Sequence, residues 1–74
     1  MKYDKRIAEH IGRRVAELRK SHSLSLRAFA NEIGLCYVTI FRIERGEYFP
    51  TILTALMIAD YFGVTLDELI RPKE

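Results

Sequence analysis

The sequence is poor in the residues that cross-link or interrupt small domains: it has one cysteine, four glycines and two prolines among 74 residues. A single cysteine, Cys36, allows neither an intrachain disulfide nor a zinc site of the Cys-x-x-Cys type. No apolar run approaches the ~20 residues that cross a bilayer, and the N-terminus lacks the apolar segment of a signal peptide. We therefore expect one cytoplasmic domain over residues 1–74, stabilised by its own core or by a partner subunit.

Residue patterns that serve catalysis are also missing. The sequence has no paired carboxylates, no glycine-rich phosphate loop and no His-x-x-x-His spacing. We interpret His10 and His22 as exposed helix residues, and we expect neither an enzyme nor a site for a metal, a cofactor or a small molecule. Because 49% of the residues are apolar and 30% are charged, the composition is that of a folded domain rather than a disordered tail.

The net charge of +2 is unevenly distributed along the chain. Residues 1–22 contain seven Lys or Arg and three Asp or Glu, whereas residues 47–74 contain two and five. A basic N-terminal part and an acidic C-terminal part favour one surface that binds a polyanion and another that faces away from it. The alternative is that these charges only solvate ordinary helix faces.

The apolar residues recur with the period of α-helices, and no segment shows the strict alternation of a half-buried strand. From residue 4 to about residue 21, Ile7, Ile11, Val15 and Leu18 form a single stripe along an otherwise charged helix. That stripe is predicted to face the core. The fold class that follows is all-α.

Residues that favour helix ends divide the rest of the chain into four more helices. The predicted N-terminal caps include Ser25, Thr51 and Thr65, and glycines 34, 46 and 63 are placed to end helices. Thr65 and Glu68 also have the spacing of a capping box. The predicted spans are 25–34, about 36–45, 51–62 and about 66–70, which makes a compact five-helix bundle.

The stretch of about residues 25–45 has the spacing of a helix-turn-helix unit. Ala30 lies four residues before Gly34, and Ile40 lies six residues after it. A small residue at 30 lets two helices cross closely, the glycine supplies the turn, and the aliphatic residue fills the space beneath. We therefore expect residues 36–45 to form the second helix of this unit.

Most of the chain resembles the Xre or Cro/CI type of helix-turn-helix repressors found in phages and bacteria. The segments that carry the resemblance are IGRRVAELRKSHSLS, LRAFANEIGL, TIFRIERGEYFPT and ADYFGVTLDELI. The resemblance implies a transcriptional regulator with a lambda repressor-like domain. It also implies that a homodimer binds double-stranded DNA at a palindromic operator, with the third helix in the major groove.

Projection of the third helix at 100° per residue separates two sides. Ile40 and Ile43 point one way with Cys36 near them, and the opposite side gathers residues 37, 38, 41, 42 and 45. By the resemblance, the base-contacting residues are Tyr37, Val38, Phe41 and Arg42. Arg42 is expected to donate two hydrogen bonds to a guanine, and Val38 and Phe41 to pack on thymine methyl groups.

Other roles are also implied by the resemblance. Thr39, Arg45 and Tyr48 are expected to contact phosphates, with Arg27 as a weaker candidate. Leu26 stands where relatives commonly have a phosphate-binding Gln, so only backbone N–H groups at that helix start can hold an anion. Arg19 is expected to pair with Glu44 and tie the first helix to the third.

The fourth helix has more apolar residues than a one-sided core helix needs. We assign Ile52, Ala55, Leu56, Ala59 and Phe62 to its inner face. Leu53, Met57 and Tyr61 then form an outer stripe at i, i+4 and i+8. Together with Ile70, this stripe is the predicted dimer interface. The alternative is that it is a partly apolar surface of a monomer.

Two alternatives stay open at the recognition surface. Tyr37, Val38 and Phe41 make it unusually apolar for a DNA reader, so a protein partner is possible, with the chain as a regulatory adaptor or an antitoxin-like module. Cys36 is expected to be a poor helix cap, because a thiol is a weak acceptor. It is either a redox-sensitive thiol or a small, half-buried apolar residue.

Overall fold

A computed structural model describes residues 4–71. This part of the chain forms the α-helices α1 (Lys5–Ser21), α2 (Leu26–Ile33), α3 (Tyr37–Glu44), α4 (Ile52–Phe62) and α5 (Leu66–Ile70). The predicted all-α, five-helix fold is confirmed. None of the helices within residues 4–71 is long and apolar enough to span a membrane.

Side-chain caps account for where most of the helices begin. Asp4, Ser25 and Thr51 each accept hydrogen bonds from backbone N–H groups in the first turn of α1, α2 and α4. In α5, Thr65 accepts from the Glu68 N–H at 3.0 Å and the Glu68 carboxylate accepts from the Thr65 N–H at 2.8 Å. These bonds satisfy amide groups that the helix itself leaves without acceptors.

The core lies between the five helices, each of which contributes buried side chains. α1 packs against α3 and α5, α2 packs against α3 and α4, and α4 also packs against α5. Each large apolar side chain buried here contributes roughly 1.5–3 kcal/mol relative to an exposed one. The buried cluster is Ile11, Val15, Phe29, Ala30, Ile40, Ile43, Ala55, Ile58, Ala59, Phe62 and Leu69.

Gly12 allows the close crossing of α1 and α3. A Cβ atom built on Gly12 would lie 2.7 Å from the carbonyl oxygen of Glu44 and would also collide with that of Ile43. No side chain fits there without moving the two helices apart. The helical pattern of the sequence does not reveal this contact, because a glycine on a charged helix resembles any small residue.

The predicted inner face of α4 is wrong at two positions. Ile52 and Leu56 are exposed, whereas Ile58 is fully buried beside Ala55. The buried stripe runs through Ala55, Ile58, Ala59 and Phe62, at i, i+3, i+4 and i+7. Because α4 is apolar on nearly every side, its periodicity does not fix which stripe faces inward.

The two histidines, both predicted to be exposed helix residues, differ in their outcome. His10 is half-buried rather than exposed, and its Nε2 has no hydrogen-bond partner within the described part of the chain. His22 is exposed as expected, but it is the C-cap of α1 and its ring packs 4.9 Å from that of Phe62. At the end of α1, the His22 side chain can reach a neighbouring helix, which the period of α1 alone does not indicate.

Candidate nucleic-acid interface

The turn between α2 and α3 fixes how α3 is presented. Gly34 has a left-handed backbone with φ of 74°, and the next N–H, of Leu35, donates to the Ala30 carbonyl at 3.0 Å. Ala30 and Ile40 are buried, so the two helices meet closely behind this turn. A glycine adopts this φ without the steric cost of a side chain. The packed inner side of α3 thereby fixes the direction in which its outer side faces.

Four predicted base-contacting residues lie together on the outer side of α3. Tyr37, Val38 and Phe41 are 39%, 38% and 45% exposed, and Arg42 is exposed beside them. They line one shallow surface depression together with Glu47 from the loop after α3. We call these four α3 residues the recognition face. The buried Ile40 and Ile43 on the opposite side keep it turned outward.

Two arginines bracket the aromatic rings of the recognition face. The guanidinium carbon of Arg27 lies 4.2 Å from the ring centre of Tyr37, and that of Arg45 lies 5.4 Å from the ring centre of Phe41. Each such cation–π contact contributes about 0.5–1 kcal/mol at an exposed site. These contacts restrain the rings and place positive charge at both margins of the face. Helical spacing already places Arg45 on the side of Phe41, but the contact of Arg27 cannot be predicted from that spacing because Arg27 belongs to a different helix.

An acidic residue sits among these cations. Glu47 accepts a hydrogen bond from Nε of Arg45 at 2.8 Å, and both side chains are exposed. The guanidinium of Arg45 is therefore shared between a carboxylate and the Phe41 ring. An incoming phosphate would have to compete with that carboxylate for Arg45.

The other predicted phosphate contacts lie on α2, on α3 and in the loop after α3. Thr39 is half-buried and Tyr48 is exposed. Leu26 is half-buried and packs against the core, as expected of an apolar side chain. Its backbone N–H and that of Arg27 belong to the first turn of α2, where no intrahelical acceptor exists. These amides, rather than the leucine side chain, are the groups able to hold an anion.

Arg19 and Glu44 form a two-pronged ion pair between α1 and α3. Arg19 donates from Nε to Glu44 Oε2 at 2.7 Å, from Nη2 to Oε1 at 3.0 Å, and from Nη1 to the Leu24 carbonyl at 2.8 Å. The side chains are only 12% and 10% exposed. The hydrogen bonds and charge of Glu44 raise the pKa of Arg19, against the opposing effect of burial. The pair ties α1, the loop after it and the C-terminal end of α3 together.

Cys36 is exposed, so the interpretation as a half-buried apolar residue is wrong. It is the N-cap of α3, and its side chain makes no capping hydrogen bond. The projection failed here because Cys36 has an extended backbone (φ −66°, ψ 134°) and precedes the helix. The weak cap agrees with the low acceptor strength of a thiol.

The predicted dimer residues do not form one unpartnered stripe. The Tyr61 hydroxyl donates to Glu32 at 3.2 Å, and its ring lies 5.5 Å from that of Phe29. Desolvation, followed by the charge and hydrogen bond of Glu32, raises the pKa of Tyr61. Ile70 packs against the core, and Met57 is half-buried. Only Leu53 is strongly exposed.

A different apolar surface lies at the start of α4. Its members are the loop residue Phe49 and the helix residues Ile52, Leu53 and Leu56, which are 41%, 68%, 65% and 41% exposed. We call these four residues the α4 patch. Leu56 lies four residues after Ile52 and three after Leu53, so its side chain neighbours both of them on the helix surface. The patch begins with Phe49, in the loop after α3 that also contains Glu47 and Tyr48.

Comparison with known proteins finds relatives of this chain among helix-turn-helix regulators. A helix-turn-helix family profile matches residues 15–69 of the chain. An uncharacterized HTH-type transcriptional regulator of Methanocaldococcus jannaschii is 35% identical over 51 residues, which cover 69% of this chain and 77% of that protein. The transcriptional repressor RstR of the cryptic CTXphi phage in Vibrio cholerae is 34% identical, over 80% of this chain and 53% of its own length.

A solved structure has the same fold. The crystal structure of an HTH_3 family transcriptional regulator from Vibrio cholerae superposes with a TM-score of 0.80 at 34% identity. The match covers 90% of this chain and 38% of that one, so the chain corresponds to one part of the longer regulator. With the profile match and the helix-turn-helix geometry, these similarities show that the chain belongs to the Xre/Cro-CI-type helix-turn-helix family of transcriptional regulators.

Proposed function

We propose that the chain is a repressor that binds a palindromic operator as a homodimer and inserts α3 into the major groove. The observation that carries this proposal is the recognition face: four exposed side chains on a helix whose opposite side is locked into the core. A helix held in this way keeps its side chains in register with base edges. RstR, a relative of this chain, is a transcriptional repressor.

We assign base recognition to the middle of the recognition face and phosphate contacts to its margins. Arg42 is suited to donate two hydrogen bonds to O6 and N7 of a guanine, the commonest specific contact in the major groove. Arg27, Arg45, Thr39, Tyr48 and the first amides of α2 then contact phosphates, which set the register of the protein on the duplex. Such contacts release counterions, so affinity should fall steeply as salt rises.

We assign dimerisation to the α4 patch, with a second copy of this chain as its occupant. Its exposed apolar side chains leave room for a self-complementary contact about a two-fold axis. Four partly exposed side chains amount to a small interface, below the roughly 600–1,000 Å² per partner of a stable complex. A weak dimer that becomes complete on two adjacent half-sites fits this size. The two α3 helices would then lie about 34 Å apart, matching half-sites ~10 base pairs apart.

Selection of bound sequences from a random double-stranded DNA library tests the proposal. The expected result is an enriched palindrome whose half-sites contain a conserved guanine, with affinity that falls by orders of magnitude between low and moderate salt. Absence of enrichment would reject it. In that case the apolar Tyr37, Val38 and Phe41 would point to a protein partner, as for an adaptor or antitoxin-like module, and binding would depend little on salt.

A further inference from the structure

The recognition face does not use the positive charge of α1. Four arginines lie on this helix, and three of them have a carboxylate partner. The paired arginines are Arg6, Arg14 and Arg19. The fourth, Arg13, is exposed, and within residues 4–71 its side chain forms no ion pair or hydrogen bond. Its charge and its N–H donors are therefore available to a ligand.

α1 borders the loop that carries two of the proposed phosphate contacts. Gly46 directly follows Arg45 and is buried against α1, where a Cβ atom built on it would lie 2.8 Å from Cγ and 3.1 Å from Cα of Glu9. Arg45 and Tyr48 lie on either side of this contact in the chain, and both are exposed. A phosphate backbone that passes along the loop therefore comes close to α1 at Glu9.

Arg13 lies one helical turn after Glu9, on the same side of α1. Side chains in a helix lean toward its N-terminus, which directs Arg13 over the turn that contains Glu9. Arg14, the next residue, lies on another side of the helix, where it lines a depression with Arg71 at the end of α5. Of these two neighbouring arginines, only Arg13 is on the side of the loop.

We propose that Arg13 binds a backbone phosphate of the operator outside the segment read by α3, next to the phosphates bound by Arg45 and Tyr48. This inference rests on the proposed DNA binding and adds α1 to the DNA surface. A guanidinium suits this role because its fork of N–H groups matches two phosphate oxygens. Such a contact carries no sequence information, so Arg13 should strengthen binding to specific and unrelated DNA alike.

Uncharged phosphates locate the contact. The selected operator is synthesised as a series in which single phosphates are replaced by methylphosphonates, and affinities are measured by fluorescence anisotropy at low salt. Each replacement at a bound phosphate should weaken binding by the unmodified protein. In Arg13→Ala, replacement at one phosphate flanking each half-site should lose its effect, because the partner of that phosphate has been removed. The phosphates assigned to Arg45 and Tyr48 should remain sensitive.

The salt dependence of affinity gives a second measure. Each lost phosphate contact lowers the magnitude of the slope of log affinity against log salt by about 0.9. The advantage of the unmodified protein over Arg13→Ala should therefore shrink about 3.5-fold per lost contact when salt is raised fourfold. The ratio of operator affinity to unrelated-DNA affinity should stay unchanged. The melting temperature, measured by circular dichroism, should also stay unchanged because Arg13 forms no ion pair within residues 4–71.

Arg14→Ala is the matched control, because it removes the same charge from the adjacent residue on another side of α1. It should leave every phosphate in the series as sensitive as before. Arg13→Lys retains the charge and should restore the sensitivity of the flanking phosphate.

Loss of sensitivity at one flanking phosphate in Arg13→Ala but not in Arg14→Ala supports the proposal. An unchanged series in Arg13→Ala would overturn it while leaving DNA binding intact, and Arg13 would then be a solvated surface residue. Equal effects of the two alanine variants would also overturn it, because the charge would then act only at long range. A lowered melting temperature with altered sensitivity at every phosphate would reduce Arg13 to a structural role. If the unmodified protein bound no DNA sequence specifically, the proposed function and this inference would fall together.

Discussion

The recognition face and the α4 patch both expose large apolar side chains, but the charges around them differ. Arg42 belongs to the recognition face, and Arg27 and Arg45 lie against its aromatic rings. The α4 helix, Ile52–Phe62, contains no Lys or Arg in its sequence. Apolar exposure alone therefore does not identify a partner. The surrounding charge favours a polyanion for the first surface and another apolar surface for the second.

The two surfaces are also held in place by different interactions. α4 presents its patch from a helix fixed by apolar packing through Ala55, Ile58 and Phe62. α3 is fixed by apolar packing and also by the part-buried ion pair of Arg19 with Glu44. Loss of that pair should therefore weaken the support of α3 more than that of α4.

The largest expected effect is on stability, in Arg19→Ala. Removal of the arginine leaves the Glu44 carboxylate, which is 10% exposed, without its counterion. Breaking a fully buried pair in this way typically costs about 3–5 kcal/mol, and the loss for this part-buried pair should lie at the lower end of that range. Chemical denaturation should show this loss, and operator preference should stay unchanged at temperatures where the variant is folded.

Replacement of both partners is the control for Arg19→Ala. The double variant Arg19→Met with Glu44→Leu leaves no unpaired charge, so it should recover much of the stability. An unaltered melting temperature in Arg19→Ala would contradict the role of the pair as the tie between α1 and α3.

The next largest effect separates base reading from phosphate binding on the two parts of the DNA surface. Arg42→Ala should lower affinity for the selected operator by about 1–3 kcal/mol per half-site, a factor of roughly 5 to 150, and relax the preference for guanine. Arg27→Ala should instead weaken binding to all sequences and reduce the salt slope by about one per contact. Titrations of operator and unrelated DNA at several salt concentrations distinguish them, and equal salt slopes in both variants would contradict the assignment.

Sequence reasoning located the helices and the recognition face because both depend on local signals. Caps such as Ser25 and Thr65 and terminators such as Gly34 act within a few residues of themselves, and the structure has helix ends at those places. The positions of Tyr37 and Phe41 on the outer side of α3 follow from helical periodicity. Ile40 is buried behind them, so the period alone separates the two sides.

Features that depend on contacts between residues far apart in the sequence could not be predicted from the sequence. Gly12 matters because the backbone of α3 passes over it, and Arg27 because its guanidinium reaches a ring on the next helix. The orientation of α4 was wrong at Ile52 and Leu56 for a related reason. Where a helix is apolar on most sides, only its neighbours decide which side is buried.

A smaller effect is expected at the α4 patch. Leu53→Asp introduces a charge at a strongly exposed position, so it should weaken self-association at least tenfold with little effect on folding. Sedimentation equilibrium measures this, and binding to a single half-site should be unchanged. Asp60→Asn, an exposed substitution on the same helix, is the control. A protein that is monomeric at micromolar concentration with and without operator DNA would remove the dimer from the proposal.

The smallest effect is expected at the boundary between the two surfaces, in Glu47→Gln. The carboxylate holds Arg45 at 2.8 Å and lines the same depression as the recognition face. Because this ion pair is exposed, it contributes only about 0–1 kcal/mol, and its loss should scarcely change stability. Without the carboxylate, Arg45 is released to a phosphate and a negative charge leaves the DNA surface. DNA affinity should therefore rise about two- to fivefold at low salt, and the gain should shrink as salt screens it.

The α4 patch should not be affected by Glu47→Gln, so self-association measured by sedimentation is the control. A fall in affinity would instead mean that Glu47 accepts a hydrogen bond from a cytosine amino group, which would make this loop part of the base-reading surface.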